Sequence, residues 1–147
     1  MTMKDASVAA LVEAARGAMA HAHAPYSGFA VGAAVRLTDG EIVAGTNFEN
    51  ASYGLSLCAE TVALATVNSR GRLADVEAIA VVGGADGVTP CGRCRQVMVE
   101  AEQIAGRPIA VYCASASGDA VTEHRVSALL PYAFGPMDLG VTRKKRS

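Results

Sequence analysis

The alternation of apolar and polar positions divides the chain into a short series of elements. Residues 5–22, DASVAALVEAARGAMAHA, repeat apolar side chains at helical spacing and predict an amphipathic helix. APYSGF follows as a loop. FAVGAAVRL and EIVAGTN then flank TDG, the pattern of two strands joined by a tight turn. From Cys58 to Ser69 the period returns to that of a helix, which SRGR ends with Gly71 as its C-terminal cap. VEAIAVVGG is an unbroken apolar run, as expected of a buried strand, and VTP leads into a second such helix from about Cys91 to Ala105. IAVYCAS and AVTEHRV predict two more strands, followed by a brief helix near SALL and a tail containing Pro and Gly. Helix, hairpin, then helices alternating with strands describe an α/β layered domain with a mixed sheet.

Composition changes this picture in one respect. Of the 147 residues 51% are hydrophobic but only 5% aromatic, and tryptophan is absent, so the core must be built from Ala, Val, Leu and Ile. Such side chains bury little area each, which makes further burial against another subunit an expectation.

Charge changes it in another. RKKR at 143–146 holds four of the 13 basic residues, leaving nine against 14 acidic ones in residues 1–142, a net of −5. An acidic body is a poor platform for a phosphate backbone, so nucleic acid is not an expected partner. Residues 1–142 are expected to form a single domain and 143–147 a basic, mobile tail. No stretch approaches the ~20 apolar residues of a membrane span, and no start resembles a signal peptide. A cytoplasmic setting follows, in which clustered cysteines point to metal or catalysis rather than to disulfides.

The chemistry begins at SLCAETVA, residues 56–63. A cysteine at a helix N-terminus sits among free backbone N–H groups that favour its thiolate, which makes Cys58 either a nucleophile or a metal ligand. TPCGRCRQ, residues 89–96, supplies Cys91 and Cys94 at the start of the next helix. A C-x-x-C pair alone also suits a redox dithiol. With Cys58 as a third cysteine at a helix start, three thiolates and one open position describe a catalytic zinc site, whereas a structural zinc normally takes a fourth protein ligand. Glu60, two residues beyond Cys58, can reach a water there and move its proton; its other reading is a carboxylate favouring the helix dipole.

C-A-E, about thirty residues, then P-C-x-x-C resembles the zinc nucleobase-deaminase signature in its all-cysteine form. YSGFAVGAAV, GTNFENASYGLSLCAE, TPCGRCRQ and LLPYAFGPMDL extend the likeness to the short, homotetrameric cytidine deaminases, from about Tyr26 to Leu139. The resemblance implies a three-layer α/β/α fold with a five-stranded mixed sheet. It implies one Zn2+ per subunit on Cys58, Cys91 and Cys94, with Glu60 as the proton carrier. The substrate it implies is a free pyrimidine nucleoside, cytidine or 2′-deoxycytidine, hydrolysed at C4. Asn47 and Glu49 would bind the ribose hydroxyls, Phe29 would pack on the nucleoside, and the Ala59 N–H with Glu60 would read the pyrimidine edge. Tyr53 and Phe134 would come from neighbouring subunits of a homotetramer with shared active sites.

One position departs from the family. Many relatives read C-A-E-R, where the arginine is thought to offset the charge of three thiolates; here Thr61 brings a hydroxyl but no charge. Arg93 is the expected replacement and Arg95 the second candidate. Two other activities fit parts of the pattern: a same-fold deaminase acting on a blasticidin S-type antibiotic, and a zinc-stabilised binding module without catalysis. Glu60 argues against the latter; Asn47, Glu49 and FGPMDL argue for a ribosyl substrate. His21, His23 and His124 lie outside any ligand spacing, Cys113 reads as a buried strand residue, and GGADG lacks the Lys-Ser/Thr of a phosphate loop.

Overall fold

In the computed structural model, which describes residues 5–141, the TDG turn joins strands β1 (Val31–Leu37) and β2 (Ile42–Thr46). The strands pair antiparallel, with Ala34 opposite Ala44 and Val35 opposite Val43. Strand β3 (Val76–Gly83) lies antiparallel on the other side of β1, and β4 (Ala110–Ala114) lies parallel to β3. That parallel pair requires a crossover, and helix α3 (Gly92–Ala105) supplies it. Strand β5 (Val121–Arg125) closes the far edge antiparallel to β4, giving five strands in the order β2-β1-β3-β4-β5. The expected basic tail at 143–147 lies outside the described residues.

Alternation along the strands sorts the core into two layers of contact. Ala34, Ala78, Ala80 and Val82 face helix α1 (Ala6–Met19) through its Val8, Leu11, Val12 and Ala15. Ala33, Val35, Ile79, Val81 and Val111 face the opposite way, onto helix α2 (Ala59–Ser69) and α3. The result is helix, sheet, helix pair: an α/β/α fold with a five-stranded mixed sheet. Two glycines set how closely the layers approach. A Cβ on Gly32 would stand 1.8 Å from the Ala15 carbonyl oxygen of α1, and one on Gly45 would stand 2.6 Å from the Ala63 nitrogen of α2.

The boundaries differ from the sequence expectations for physical reasons. Helix α1 ends at Met19 rather than Ala22 because His23 is drawn into a bridge with Phe48. Its N–H goes to Asn47 O at 3.1 Å, and its carbonyl accepts from Glu49 N at 2.8 Å. Strand β1 starts at Val31 rather than Phe29 because the Asn47 side chain takes over the pairing there. At the end of α2, Arg70 is the cap and Gly71 follows it at φ +72°, with the Gly71 and Arg72 amides returning to Asn68 and Val67 carbonyls. A 3-10 turn at Tyr53–Leu55 and another at Pro136–Leu139 carry no periodic signal and went unpredicted. The brief helix near SALL is α4 (Val126–Leu129). Among the described residues no helix is long and apolar enough to cross a membrane.

Candidate metal centre and the cleft beside it

Helices α2 and α3 pack on the same face of the sheet and against each other, which brings their N-termini together. Cys58 is the N-cap of α2 and Cys91 the N-cap of α3, and neither uses its side chain to cap. Their sulfurs face each other at 3.8 Å instead. Cys94, on the first turn of α3, completes a group whose sulfurs all lie within 4.8 Å of one another, and no other such group occurs among the described residues. Four ligands at about 2.3 Å around a tetrahedral zinc stand about 3.8 Å apart, so these thiols fit that ion in both chemistry and spacing.

The three sulfurs differ in setting: Cys91 is exposed, Cys58 partly buried and Cys94 buried. Bonding from the Cys94 sulfur, and then from Cys91, lowers the Cys58 thiol from 9.0 to about 6, with the Arg93 charge assisting and burial and Glu60 opposing. The Cys94 thiol is pushed up by its bond to Cys58, by burial and by the Glu60 charge. Thr61 Oγ1 lies 3.4 Å from Cys94 Sγ. Glu60, second residue of α2, is only 4% exposed, and burial raises its carboxyl above the usual 4.5.

A cleft of about 310 Å³ opens beside the cysteines, lined by Phe29, Asn47, Glu49, Cys58, Ala59, Glu60 and Cys91 among others. That volume is at the lower end for small-molecule sites. Asn47 is buried; its Oδ1 accepts from Val31 N at 3.0 Å and its Nδ2 donates to Phe29 O at 2.8 Å, leaving one N–H uncommitted among these bonds. Glu49 Oε1 accepts from Tyr26 N and Ser27 N, each at 3.1 Å, and Oε2 accepts from the Ser27 hydroxyl. The Ser27 hydroxyl first of all, then the two amides and the His23 charge, hold the Glu49 carboxyl below its usual value against the cost of desolvation.

The remaining expected residues stand elsewhere. Tyr53 is 75% exposed, its ring 5.7 Å from that of Tyr26, and Phe134 is 61% exposed, its carbonyl held by the Gln96 side chain. Neither lines the cleft of the single chain. Arg93 is exposed on α3 and donates to Ser56 O at 3.2 Å, near enough to influence Cys58. Arg95 spends its guanidinium on the carbonyls of Pro90 at 2.7 Å and Leu129 at 2.8 Å. Cys113 is a buried residue of β4, raised to about 12 chiefly by burial. Sequence reasoning assigned no role to Ser27, Ser56, Val88 or Thr89, which also line the cleft. Ser27, Ser56 and Thr89 sit inside the quoted YSGF, SLCAETVA and TPCGRC motifs, the only signal that could have found them.

Comparison with known proteins agrees with this geometry. Residues 6–110, which include all three cysteines, match the family model described as the cytidine and deoxycytidylate deaminase zinc-binding region. The chain is 47% identical over 130 residues to a cytidine deaminase of Halalkalibacterium halodurans, covering 88% of this chain and 95% of that protein. It is 41% identical over 130 residues to one of Mycobacterium tuberculosis, covering 86% and 89% respectively. The crystal structure of cytidine deaminase from Burkholderia pseudomallei superposes with a TM-score of 0.79 at 45% identity, covering 86% of this chain and 98% of that one. With its three cysteines forming that zinc-binding centre, the chain belongs to the cytidine and deoxycytidylate deaminase zinc-binding family.

Proposed function

We propose that the protein hydrolyses cytidine and 2′-deoxycytidine to the corresponding uridines, releasing ammonia. The observation that carries this reading is the buried Glu60 carboxylate, which shares one cleft with Cys58 and Cys91 of the triad and with Asn47 and Glu49. Zinc, when bound, supplies the Lewis acid that makes water a nucleophile near neutral pH. Glu60 takes the proton released as the water oxygen adds to C4 and delivers it to N3. It then carries the proton of the new C4 hydroxyl to the amino group, which leaves as ammonia as the C4–N bond breaks and the C4 carbonyl forms. Its raised pKa suits both directions of transfer, since a carboxyl kept from ionising too readily holds a proton better.

The rest of the cleft orients the nucleoside. The Ala59 N–H is one of the free donors at the start of α2 and would serve the pyrimidine edge. The uncommitted Asn47 N–H and Glu49 Oε2 offer a donor and an acceptor to sugar hydroxyls. Phe29, 44% exposed, offers a ring for packing. Arg93 would offset part of the thiolate charge, with Arg95 second because its donors are engaged with carbonyls. The exposed Tyr53, Tyr132, Phe134, Met137 and Leu139 favour a homotetramer in which Tyr53 and Phe134 close a neighbour's cleft. Four free cysteines accord with a reducing cytoplasm.

The test follows the absorbance of cytidine, 2′-deoxycytidine and blasticidin S with zinc-loaded protein, repeated with Glu60→Gln. Both nucleosides should be turned over, and the variant should lose about 10²–10⁴-fold in kcat while keeping its zinc. Failure of zinc-loaded wild type to deaminate either nucleoside would overturn the proposal, and turnover of blasticidin S alone would replace it.

A further inference from the structure

Helix α2 carries three hydroxyl side chains, and they behave in two ways. Thr66 and Ser69 donate back along the helix to the carbonyls four residues earlier, Val62 O at 2.8 Å and Ala65 O at 3.0 Å, the usual habit of helical Ser and Thr. Thr61 turns its hydroxyl across to the next helix instead, 3.4 Å from Cys94 Sγ. The carbonyl four residues before it, Leu57 O, is already engaged by Phe48 N at 2.9 Å.

The sulfur it meets is the one that water reaches least. Cys91 is exposed and Cys58 partly so, hence water can reach both, while Cys94 is 0% exposed. A buried thiolate requires a protein donor, and burying it unpaired is costly. Arg95, one residue on, directs its donors to Pro90 and Leu129 rather than to the sulfur.

We infer that Thr61 is a positioning residue of the metal centre: its hydroxyl donates to the Cys94 sulfur, holds it in place for the metal, and draws electron density from it. A thiolate that accepts a hydrogen bond is held in place by it and gives less charge to the metal. The inference rests on the zinc site alone, and its readouts need no nucleoside, so it fails or stands separately from the proposed reaction.

Thr61→Val keeps the shape of the side chain and removes only the donor, and Thr61→Ser restores the donor. Two measurements on the loaded protein decide. In competition with a chromogenic chelator, Thr61→Val should hold zinc about 10–100-fold less tightly than wild type, and Thr61→Ser about as tightly. With cobalt in place of zinc, the sulfur-to-metal charge-transfer band should move to lower energy in Thr61→Val and stay in place in Thr61→Ser. The band reports on the sulfur and does not respond to a merely structural loss. Should the valine variant not fold, Thr61→Ala against Thr61→Ser gives the same comparison. Wild-type zinc retention and an unmoved band in the variant lacking the hydroxyl would overturn the inference. So would a serine variant as impaired as the one with no donor.

Discussion

Replacing Gly45 with alanine tests how strictly the sheet positions the metal centre. Gly45 lies in β2 beneath α2, and an added Cβ would stand 2.6 Å from Ala63 N and 2.9 Å from Ala59 O. The nearer contact is about 0.8 Å inside the 3.4 Å at which ordinary contact begins, and the obstructing atoms are backbone. The helix must therefore yield, and its first turn carries Ala59 and Glu60 immediately after Cys58. Overpacking of this kind costs about 1–3 kcal/mol, which for a domain of this length lowers Tm by roughly 3–10 °C. A displacement of nearly 1 Å at a proton carrier costs up to about 10²-fold in rate. The assay pairs thermal melting with kcat for cytidine at 25 °C, and Ala44→Ser on the exposed edge of the same strand serves as control. A lower Tm and a kcat reduced about 10–100-fold are expected, with the control unchanged. Gly45→Ala melting like wild type would refute the packing argument. A reduced Tm with unchanged kcat would refute its transmission to Glu60.

Ser27 and Phe134 give two further tests. Because Glu49 is held below 4.5, it stays ionised to lower pH than an ordinary glutamate, and any stability it adds is present above its unfolded value and lost as pH falls through the folded one. The acid rise in KM for nucleosides should therefore begin at lower pH in wild type than in Ser27→Ala; identical profiles would refute the clamp. In Phe134→Ala, KM should rise roughly fivefold, the worth of about 1 kcal/mol of aromatic packing, while light scattering of wild type reports a tetramer. A catalytically competent monomer would refute the shared cleft.

The long elements were legible because their signals are local. Apolar period marked α2, α3 and the strands, and the TDG turn marked the β1–β2 hairpin. What escaped prediction depends on partners far apart in the chain. The start of β1 is set by Asn47, 16 positions from Val31, whose amide stands in for a strand neighbour. The C-terminal segment is held by Gln96 on Phe134 O and Gln103 on Met137 N, 38 and 34 positions apart, and its 3-10 turn has no period of its own. Ser27 acts on Glu49 across 22 positions. None of these pairings leaves a mark on the residues near it in sequence.

The metal centre was the most legible part because it breaks a local rule twice. A helix start favours Ser, Thr, Asp or Asn, whose side chains satisfy an orphan amide for about 1 kcal/mol each. Asp5 does this for α1, bonding Ser7 N at 2.8 Å. Helices α2 and α3 begin instead on Cys58 and Cys91, which leave the capping bond unmade. Stability is forgone at both ends in the same layer of the fold, where the two sulfurs meet at 3.8 Å. Local inconsistency of this kind gathers at functional sites, and here it has one chemical resolution. An ion shared by the two caps and Cys94 joins the helix ends that the missing bonds leave open, so the same cysteines that weaken each helix alone fasten the pair to each other.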